Sequence, residues 1–238
     1  MIELTHEYDV FVLNMNAGEN RWNTTFVREF SKALDEVENS TGPAALVTTS
    51  TNPKFFSNGL DLDWYSATGD HPGGDRDVFG DEYMALMGRL ITLPMPSVCA
   101  VNGHAFGAGF MLALCHDIRC MRADRGFICA NEIELGLTIP NPELALFRHK
   151  IPMSAFFQTV QLAKRWTGPE ALAAGIVQHI DEQDQLLSSA MSKAQELSRL
   201  GANRDAYGQL KEQLYGENAA INGIHGPAYM LKNASLFH

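Results

Sequence analysis

Residues 102–114, NGHAFGAGFMLAL, are the most informative segment of the chain, because they join a strand to a buried helix through a turn of small residues. The preceding residues 96–101, PSVCAV, form a short apolar run that is typical of a buried strand. Residues 110–114 have no polar side chain, which predicts a helix packed inside the protein. Backbone N–H groups in such a turn can approach a bound group closely and stabilise its negative charge. The turn is therefore a candidate anion or oxyanion site.

Two further segments, one on each side, extend this pattern. Upstream, residues 54–62, KFFSNGLDL, place a second glycine turn after the strand-like run AALVTT at 44–49. Downstream, residues 127–137, FICANEIELGL, place Glu132 in a largely apolar run. Two backbone donors and one poorly solvated carboxylate are what enolate chemistry requires, because the donors hold the developing oxyanion and the carboxylate moves the proton.

Together and in this order, the three segments resemble the crotonase (enoyl-CoA hydratase/isomerase) superfamily over about residues 10–177. In that resemblance, residues 56–62 correspond to the first oxyanion-hole segment and residues 102–117 to the second. The implied catalytic donors are the backbone N–H groups of Leu60 and Ala108. The superfamily usually has glycine at the second donor, but a backbone donor survives alanine provided that φ is negative. The implied fold is α/β, a crotonase-like ββα spiral with a C-terminal helical region.

The number of catalytic glutamates distinguishes the reactions within the superfamily. Enoyl-CoA hydratases use two glutamates; Met111 stands where the first would lie, whereas Glu132, followed by Gly136, matches the second. A thioether is not a general base, so two-acid hydration is expected to be disabled, while one carboxylate is enough for a 1,3-proton shift. The chain therefore resembles Δ3,Δ2-enoyl-CoA isomerases, which convert a 3-enoyl-CoA to the 2-trans isomer. Hydration, thioester hydrolysis and non-catalytic acyl-CoA binding are the alternatives.

Two other carboxylates compete with Glu132 for the role of base. Glu134 lies two residues away and would share its face if the segment were extended. Glu143 follows a proline-containing loop and is interpreted more simply as a first-turn helix acid. We prefer Glu132 because its spacing to the following glycine fits the family. Three apolar neighbours are expected to raise its pKa, namely Ile133, Leu135 and Met111.

The resemblance also implies residues that bind the substrate. Main-chain groups near residues 20–23 would contact the adenine end of coenzyme A, although this segment departs from the common pattern. The implied substrate-binding residues are Asn20, Arg21, Trp22, Phe56, Asn58, Gly59, Asp61, Leu62, Gly107 and Met111. Asp61 also fits the N-cap of the following segment. Positive charge for the phosphates has four candidate sources, which are Arg21, Lys54, Arg148 and Lys150.

Composition and motifs narrow the class of protein. The chain has 238 residues, 45% of them hydrophobic, and its net charge of −10 argues against a nucleic-acid surface. Gly107 and Gly109 begin a dinucleotide fingerprint, but Leu112 stands at the third glycine position, so the fingerprint fails. His104 and His116 lack a spacing that indicates a metal site. We expect no cofactor beyond the coenzyme A of an acyl-CoA substrate, and the resemblance implies a homotrimer or a dimer of trimers.

The sequence also carries expectations about compartment. Its four cysteines lie in apolar surroundings, which predicts reduced core residues and a cytoplasmic protein. Neither a signal peptide, nor a membrane-spanning run, nor a Ser-Lys-Leu C-terminus is recognisable.

Periodicity gives a coarse order of elements. Predicted strands cover residues 10–15, 118–122 and 127–133. Helices are expected after Asn23 as N-cap and from Asp81, and the chain is largely helical beyond Pro142, with residues 177–180 as the exception. One helix is expected to bury a single stripe made of Leu186, Leu187, Ala190, Met191, Ala194 and Leu197.

These elements suggest a division of the chain into two parts. Residues 1–180 would form the spiral core with the acyl-CoA site, and residues 181–238 the C-terminal helical region. Residues 66–77 are interpreted as a flexible surface loop.

Overall fold

Two sheets organise the chain, and the computed structural model describes residues 1–67, 75–218 and 221–237. The strands of the larger sheet are, in spatial order, β1 (Ile2–Glu7), β2 (Val10–Met15), β3 (Ala45–Ser50), β5 (Ser97–Val101), β7 (Ile118–Arg122) and β9 (His179–Asp181). The smaller sheet contains β4 (Phe55–Ser57), β6 (His104–Phe106) and β8 (Ile128–Cys129). Only the β1–β2 pair is antiparallel among these described strands.

Helices cover the sheets and fill the second half of the chain. The first five are α1 (Thr24–Glu38), α2 (Leu62–Ala67), α3 (Asp75–Ile91), α4 (Ala108–Leu114) and α5 (Asn141–Lys150). The others are α6 (Met153–Val160), α7 (Gly168–Ala173), α8 (Gln183–Leu197), α9 (Arg204–Tyr215) and α10 (Pro227–Lys232). Short 3-10 helices occupy Glu132–Leu135, Ser198–Ala202 and Ala234–Leu236. Within the described ranges, no helix combines the length and apolar character needed to cross a bilayer.

The path of the chain repeats. After β3, β5 and β7 of the larger sheet, it passes within a few residues into the smaller sheet as β4, β6 and β8, and helical segments follow. Each turn therefore adds two strands and helical structure, so the α/β prediction of a ββα spiral is confirmed. Because β4, β6 and β8 are parallel neighbours, the residues after their carboxyl ends meet at one edge of the small sheet. Leu60, Ala108 and Glu132 each lie two or three residues beyond these strands.

The first helix forms as its sequence predicts. The Asn23 side chain accepts a hydrogen bond from the Phe26 N–H at 2.9 Å, a cap that is typically worth about 1 kcal/mol. The apolar face of α1 is buried and consists of Phe26, Val27, Phe30, Ala33, Leu34 and Val37. The four cysteines are also free and buried, as expected.

Three element predictions need correction. The strand expected at 127–133 ends at Cys129, because only Ile128 and Cys129 pair with β6 before the chain turns into a 3-10 helix. The helix expected from Asp81 already begins at Asp75. The part of the predicted loop that covers residues 68–74 lies outside the described residues, and the residues on either side of it are helical.

The stripe predicted for the C-terminal region is narrower than expected. Leu186, Ala190 and Ala194 of α8 are buried against the larger sheet, whereas Leu187 is 43% exposed. Small alanines let α8 approach the sheet closely, and Met191 packs half-buried against the same cluster, whereas Leu187 falls outside the contact. Further along the chain, α10 packs back against α3 and α5.

Candidate active site

The two glycine turns converge at the edge of the small sheet. Gly59 has φ +76°, and a Cβ added there would lie 2.8 Å from the Phe106 carbonyl oxygen and 3.8 Å from the Ala108 amide nitrogen. Only glycine fits such a backbone conformation at such a close approach. The structure thus brings the Leu60 and Ala108 segments together, as the sequence predicts.

The direction of the Leu60 amide follows from its pairing with Trp22. The Trp22 N–H donates to the Gly59 carbonyl at 2.8 Å, and the Asp61 N–H donates to the Trp22 carbonyl at 2.9 Å. Because successive peptide groups of an extended chain point to opposite sides, the Leu60 N–H points away from Trp22. It donates to no acceptor in the described part of the chain.

The second amide belongs to Ala108, the first residue of α4. The Gly107 carbonyl accepts from the Phe110 and Met111 amides, and the Ala108 N–H itself donates to no group within the described ranges. Ala108 is not among the residues with positive φ, so alanine carries no backbone strain here and its N–H stays available. Two unpaired amides therefore flank the same space.

The Glu132 carboxylate lies beside this pair of amides. A Cβ added to Gly107 would lie 2.9 Å from Glu132 Oε1, which places the carboxylate against the residue preceding Ala108. Glu132 Oε2 is buried and has no hydrogen-bond partner in the described part of the chain. Burial raises the pKa of this carboxyl above its usual value, against a smaller lowering by its own backbone N–H.

The source of that burial differs from the sequence prediction. Ile133 and Leu135 are 56% and 51% exposed, so they do not shield the carboxylate. Met111, at 2% exposure, is the buried member of the three neighbours that were expected to do so. The difference arises because residues 132–135 form a 3-10 helix, which turns the two aliphatic side chains outward.

The same 3-10 helix separates Glu134 from Glu132, so Glu134 no longer competes for the role of base. Its carboxylate forms an ion pair with Arg165 at 2.9 Å, and both side chains are about half exposed. In an extended strand Glu132 and Glu134 would share a face, but in a 3-10 helix they do not. Glu134 is therefore a surface residue.

Glu143 is the site feature that the sequence interpretation underestimated. It lies in the first turn of α5, as expected, but it is only 7% exposed. Burial, together with the charge of Glu132, raises its pKa to about 8. The available signal was its spacing of three and four residues from Leu146 and Phe147, both 0% exposed, which places all three on one helix face.

The raised pKa of Glu143 has a consequence for stability. The folded protein keeps the proton up to about pH 8, whereas the unfolded chain releases it near the ordinary glutamate pKa of 4.5, so ΔG of unfolding falls as pH rises between these values. We expect Glu143→Gln to raise the free energy of unfolding at pH 8 by on the order of 2–4 kcal/mol, and by little at pH 4. Urea titrations at several pH values measure this difference.

The control for that experiment is Glu36→Gln, which removes an exposed glutamate from α1. It should lack the gain that grows with pH. A Glu143→Gln difference that stays constant across the range would contradict a buried, neutral Glu143.

Several of the implied substrate-binding residues have side chains in the core. Asn20, Trp22 and Phe56 are each 0% exposed, so only their main-chain atoms could contact a ligand. Asn20 donates to Ser50 Oγ at 2.7 Å and to the Phe56 carbonyl at 3.0 Å. These buried side chains therefore support the backbone of the first oxyanion segment from the core.

The other implied residues lie nearer the surface. Arg21 bonds Glu19 and Asp63, and Asn58 donates to the same Glu19 carboxylate at 2.9 Å. Asp61 caps α2 by accepting from the Trp64 amide at 3.2 Å, as predicted. Leu62 is 42% exposed.

The candidate phosphate-binding cations differ in exposure. Arg148 and Lys54 are exposed, and Lys54 Nζ lies 4.8 Å from the Phe55 ring centroid. Lys150 Nζ lies 3.4 Å from the Tyr215 hydroxyl, and desolvation, followed by the charge of Arg119, lowers its pKa to about 7. Lys150 is therefore poorly placed as a surface cation.

The two histidines have structural surroundings. His116 is buried and hydrogen-bonded to the Leu112 carbonyl and Thr48 Oγ1, and burial lowers its pKa to about 3. His104 stacks on Phe106 with ring centroids 5.3 Å apart.

Known proteins with the same architecture carry related names. Residues 6–236 match the profile of the family described as enoyl-CoA hydratase/isomerase. The peroxisomal enoyl-CoA delta isomerase 2 of Arabidopsis thaliana is 31% identical over 230 residues, covering 94% of this chain and 96% of that protein. A probable enoyl-CoA hydratase from Mycobacterium tuberculosis has a TM-score of 0.82 at 28% identity, covering 98% of this chain and 92% of its own. Human mitochondrial delta3-delta2-enoyl-CoA isomerase has a TM-score of 0.79 at 26% identity, with coverages of 90% and 82%.

Proposed function

This chain belongs to the enoyl-CoA hydratase/isomerase family, and from that premise we propose that it shifts the double bond of a 3-enoyl-CoA to give the 2-trans-enoyl-CoA. The observation that carries the proposal is the Glu132 carboxylate, whose buried Oε2 has no partner among the described residues, beside the Leu60 and Ala108 amides, which donate to no acceptor there. The reaction is a 1,3-proton transfer, so the product has the same atoms as the substrate. It needs no cofactor, because coenzyme A is part of the substrate.

The amides of Leu60 and Ala108 bind the thioester oxygen in this mechanism. Removing a proton from C2 creates a dienolate whose negative charge lies largely on that oxygen. Preorganised N–H donors stabilise such charge more in the transition state than in the ground state, and each donor is typically worth about 100- to 1000-fold in rate.

Glu132 moves the proton. Its carboxylate accepts the C2 proton, and the resulting neutral carboxyl returns the proton to C4. The burial that raises its pKa makes it a stronger base than a solvated glutamate, and a positioned base adds roughly 100- to 10,000-fold. Glu143, with its pKa of about 8, stays neutral at pH 7 and leaves the site with a single negative charge.

A second candidate function is hydration of a 2-enoyl-CoA. Met111 has no acid–base chemistry, but Glu143 supplies a second buried carboxyl close enough for the Glu132 charge to raise its pKa. One neutral and one ionised carboxyl group is the combination that adding water across a double bond requires. The name of the Mycobacterium tuberculosis neighbour does not choose between the two functions, because one solved structure of that protein calls it a probable hydratase and another calls it an isomerase.

The experiment that tests the proposal offers wild-type protein 3-trans-hexenoyl-CoA and follows the ultraviolet absorbance of the conjugated thioester. We expect absorbance to rise with no change in product mass. With 2-trans-hexenoyl-CoA as substrate, a product heavier by one water would identify a hydratase instead. Thioester that binds but keeps its double bond at C3 would contradict isomerisation.

Two further parts of the proposal concern assembly and location. We infer from the family a homotrimer or a dimer of trimers, which sedimentation velocity would measure directly. We propose a cytoplasmic location for this chain. The word peroxisomal in the name of the Arabidopsis relative describes that relative. Imaging of a fluorescent fusion in the source cell tests the cytoplasmic location.

A further inference from the structure

The hydroxyl of Tyr83 fixes Ala108, whose N–H is the second of the two oxyanion-binding amides. Tyr83 Oη, on α3, donates to the Ala108 carbonyl at 2.8 Å. Tyr83 is only 3% exposed, and desolvation, with smaller contributions from Glu143, raises the pKa of its hydroxyl well above the usual value. The hydroxyl is therefore a permanent donor, and the Ala108 residue is fixed through its own carbonyl.

The first amide is fixed by the backbone of Trp22. The two hydrogen bonds of Trp22, one to each side of Leu60, leave the Leu60 N–H pointing to the opposite side. Any movement of Trp22 therefore moves the Leu60 peptide with it.

The rings of Trp22 and Tyr83 touch. Their centroids are 5.1 Å apart and their planes are inclined by 72°, an edge-to-face contact. Trp22 also packs against Phe26 of α1 at 4.9 Å, and Tyr83 stacks on Phe79 of α3 at 5.8 Å. Both rings are thus held from behind, and a continuous packed path runs from the Leu60 peptide to the Ala108 carbonyl.

We propose that Trp22 and Tyr83 are positioning residues that set the separation of the two oxyanion-binding amides. The inference rests on the proposed function, because it assigns these amides to the thioester oxygen. Donors preorganised to within about 0.5 Å are what such a site needs, and a rigid aromatic pair buried between two helices supplies that rigidity. Trp22 Nε1 has no partner among the described residues, so the indole acts here through its packing.

The test begins with Tyr83→Phe, which removes one oxygen and keeps the ring. We expect kcat to fall about tenfold, equivalent to about 1.4 kcal/mol, with KM within about twofold of wild type. If Tyr83 were only structural, Tyr83→Phe would lower the free energy of unfolding without lowering kcat at a nearly constant KM. The matched control is Tyr207→Phe, since the Tyr207 hydroxyl also makes a part-buried hydrogen bond, at 3.4 Å to Asp117, on the distant helix α9.

A second readout does not require turnover. Hexanoyl-CoA with a carbon-13 thioester carbonyl is saturated and cannot isomerise, and its infrared stretch shifts to lower frequency when both amides hold the oxygen. We expect a clear downward shift in wild type, a smaller one in Tyr83→Phe and an unchanged one in Tyr207→Phe. Trp22→Phe should also reduce the shift, and the double variant should lose less than the two single losses combined, because both act on one geometry.

The outcomes separate the two proposals. A full carbonyl shift and wild-type kcat in Tyr83→Phe would overturn the positioning role, as would equal losses in Tyr207→Phe. A wild-type protein that polarises the carbonyl without moving the double bond would overturn isomerisation and leave the positioning role to be judged by the spectra. No carbonyl shift in wild type would overturn both.

Discussion

Glu132→Gln is expected to lower kcat for isomerisation of 3-hexenoyl-CoA by roughly 100- to 10,000-fold, with KM nearly unchanged. Glutamine keeps the size of the side chain and its place against Gly107, but it cannot accept the C2 proton. Because binding comes from other groups, the loss should fall on the chemical step. Steady-state kinetics with the ultraviolet assay measure both parameters.

The controls for Glu132 come from the two neighbouring carboxylates. Glu134→Gln removes an exposed carboxylate from the same 3-10 helix, at the cost of the Arg165 pair, and should keep activity within about threefold, since surface ion pairs contribute little. Glu143→Gln should keep isomerisation at pH 7, because Glu143 is already neutral there. Loss of activity with Glu143→Gln and its retention with Glu132→Gln would move the base to Glu143.

The pH dependence of isomerase activity also tests the assignment of Glu132 as the base. Activity should fall as pH drops through the raised pKa of Glu132, because only the carboxylate accepts a proton. It should fall again near pH 8, where Glu143 ionises and adds negative charge beside the developing dienolate. Glu143→Gln is therefore expected to remove the alkaline limb and keep the acid one.

The parts of the fold that the sequence predicts well are those decided within a few residues. The strand at 97–101 and the apolar helix at 108–114 form as expected, and so does the Asn23 cap of α1, whereas residues 104–106 of the predicted turn form the additional strand β6. In each case the backbone conformation depends on neighbours along the chain: a capping side chain, a glycine, or an uninterrupted apolar run. The convergence of Leu60 and Ala108 follows because parallel strands end at one edge.

The errors have a different origin, since they depend on how distant elements pack. Periodicity places Glu143 on the same face of α5 as Phe147, but that face is buried because α5 docks on α4, with Phe147 edge-on to Phe110 at 5.3 Å. Leu187 is exposed because it lies outside the contact that α8 makes with the sheet. The sequence did not predict the role of Tyr83 for the same reason, because the carbonyl that accepts its hydrogen bond belongs to Ala108, 25 residues away in the chain.

Gly59→Ala is expected to lower kcat by about 100- to 1000-fold, the value of one oxyanion donor. The added Cβ would lie 2.8 Å from the Phe106 carbonyl oxygen, which is backbone and cannot swing aside as a side chain would. Relief of that contact must separate the Gly59 turn from the segment leading to Ala108. The two amides then no longer converge on one oxygen.

The difficulty with Gly59→Ala is that φ +76° also strains any alanine, by roughly 1–2 kcal/mol. Gly42→Ala isolates that strain, because Gly42 has φ +83° and nothing within 4 Å of an added Cβ. Both variants should lose stability in urea titrations, and only Gly59→Ala should lose activity and the infrared shift of bound hexanoyl-CoA. Equal activity in the two variants would mean that the close approach of the turns does not set the donor geometry. Activity lost only in Gly59→Ala would show that the spacing of these two turns controls the chemical step.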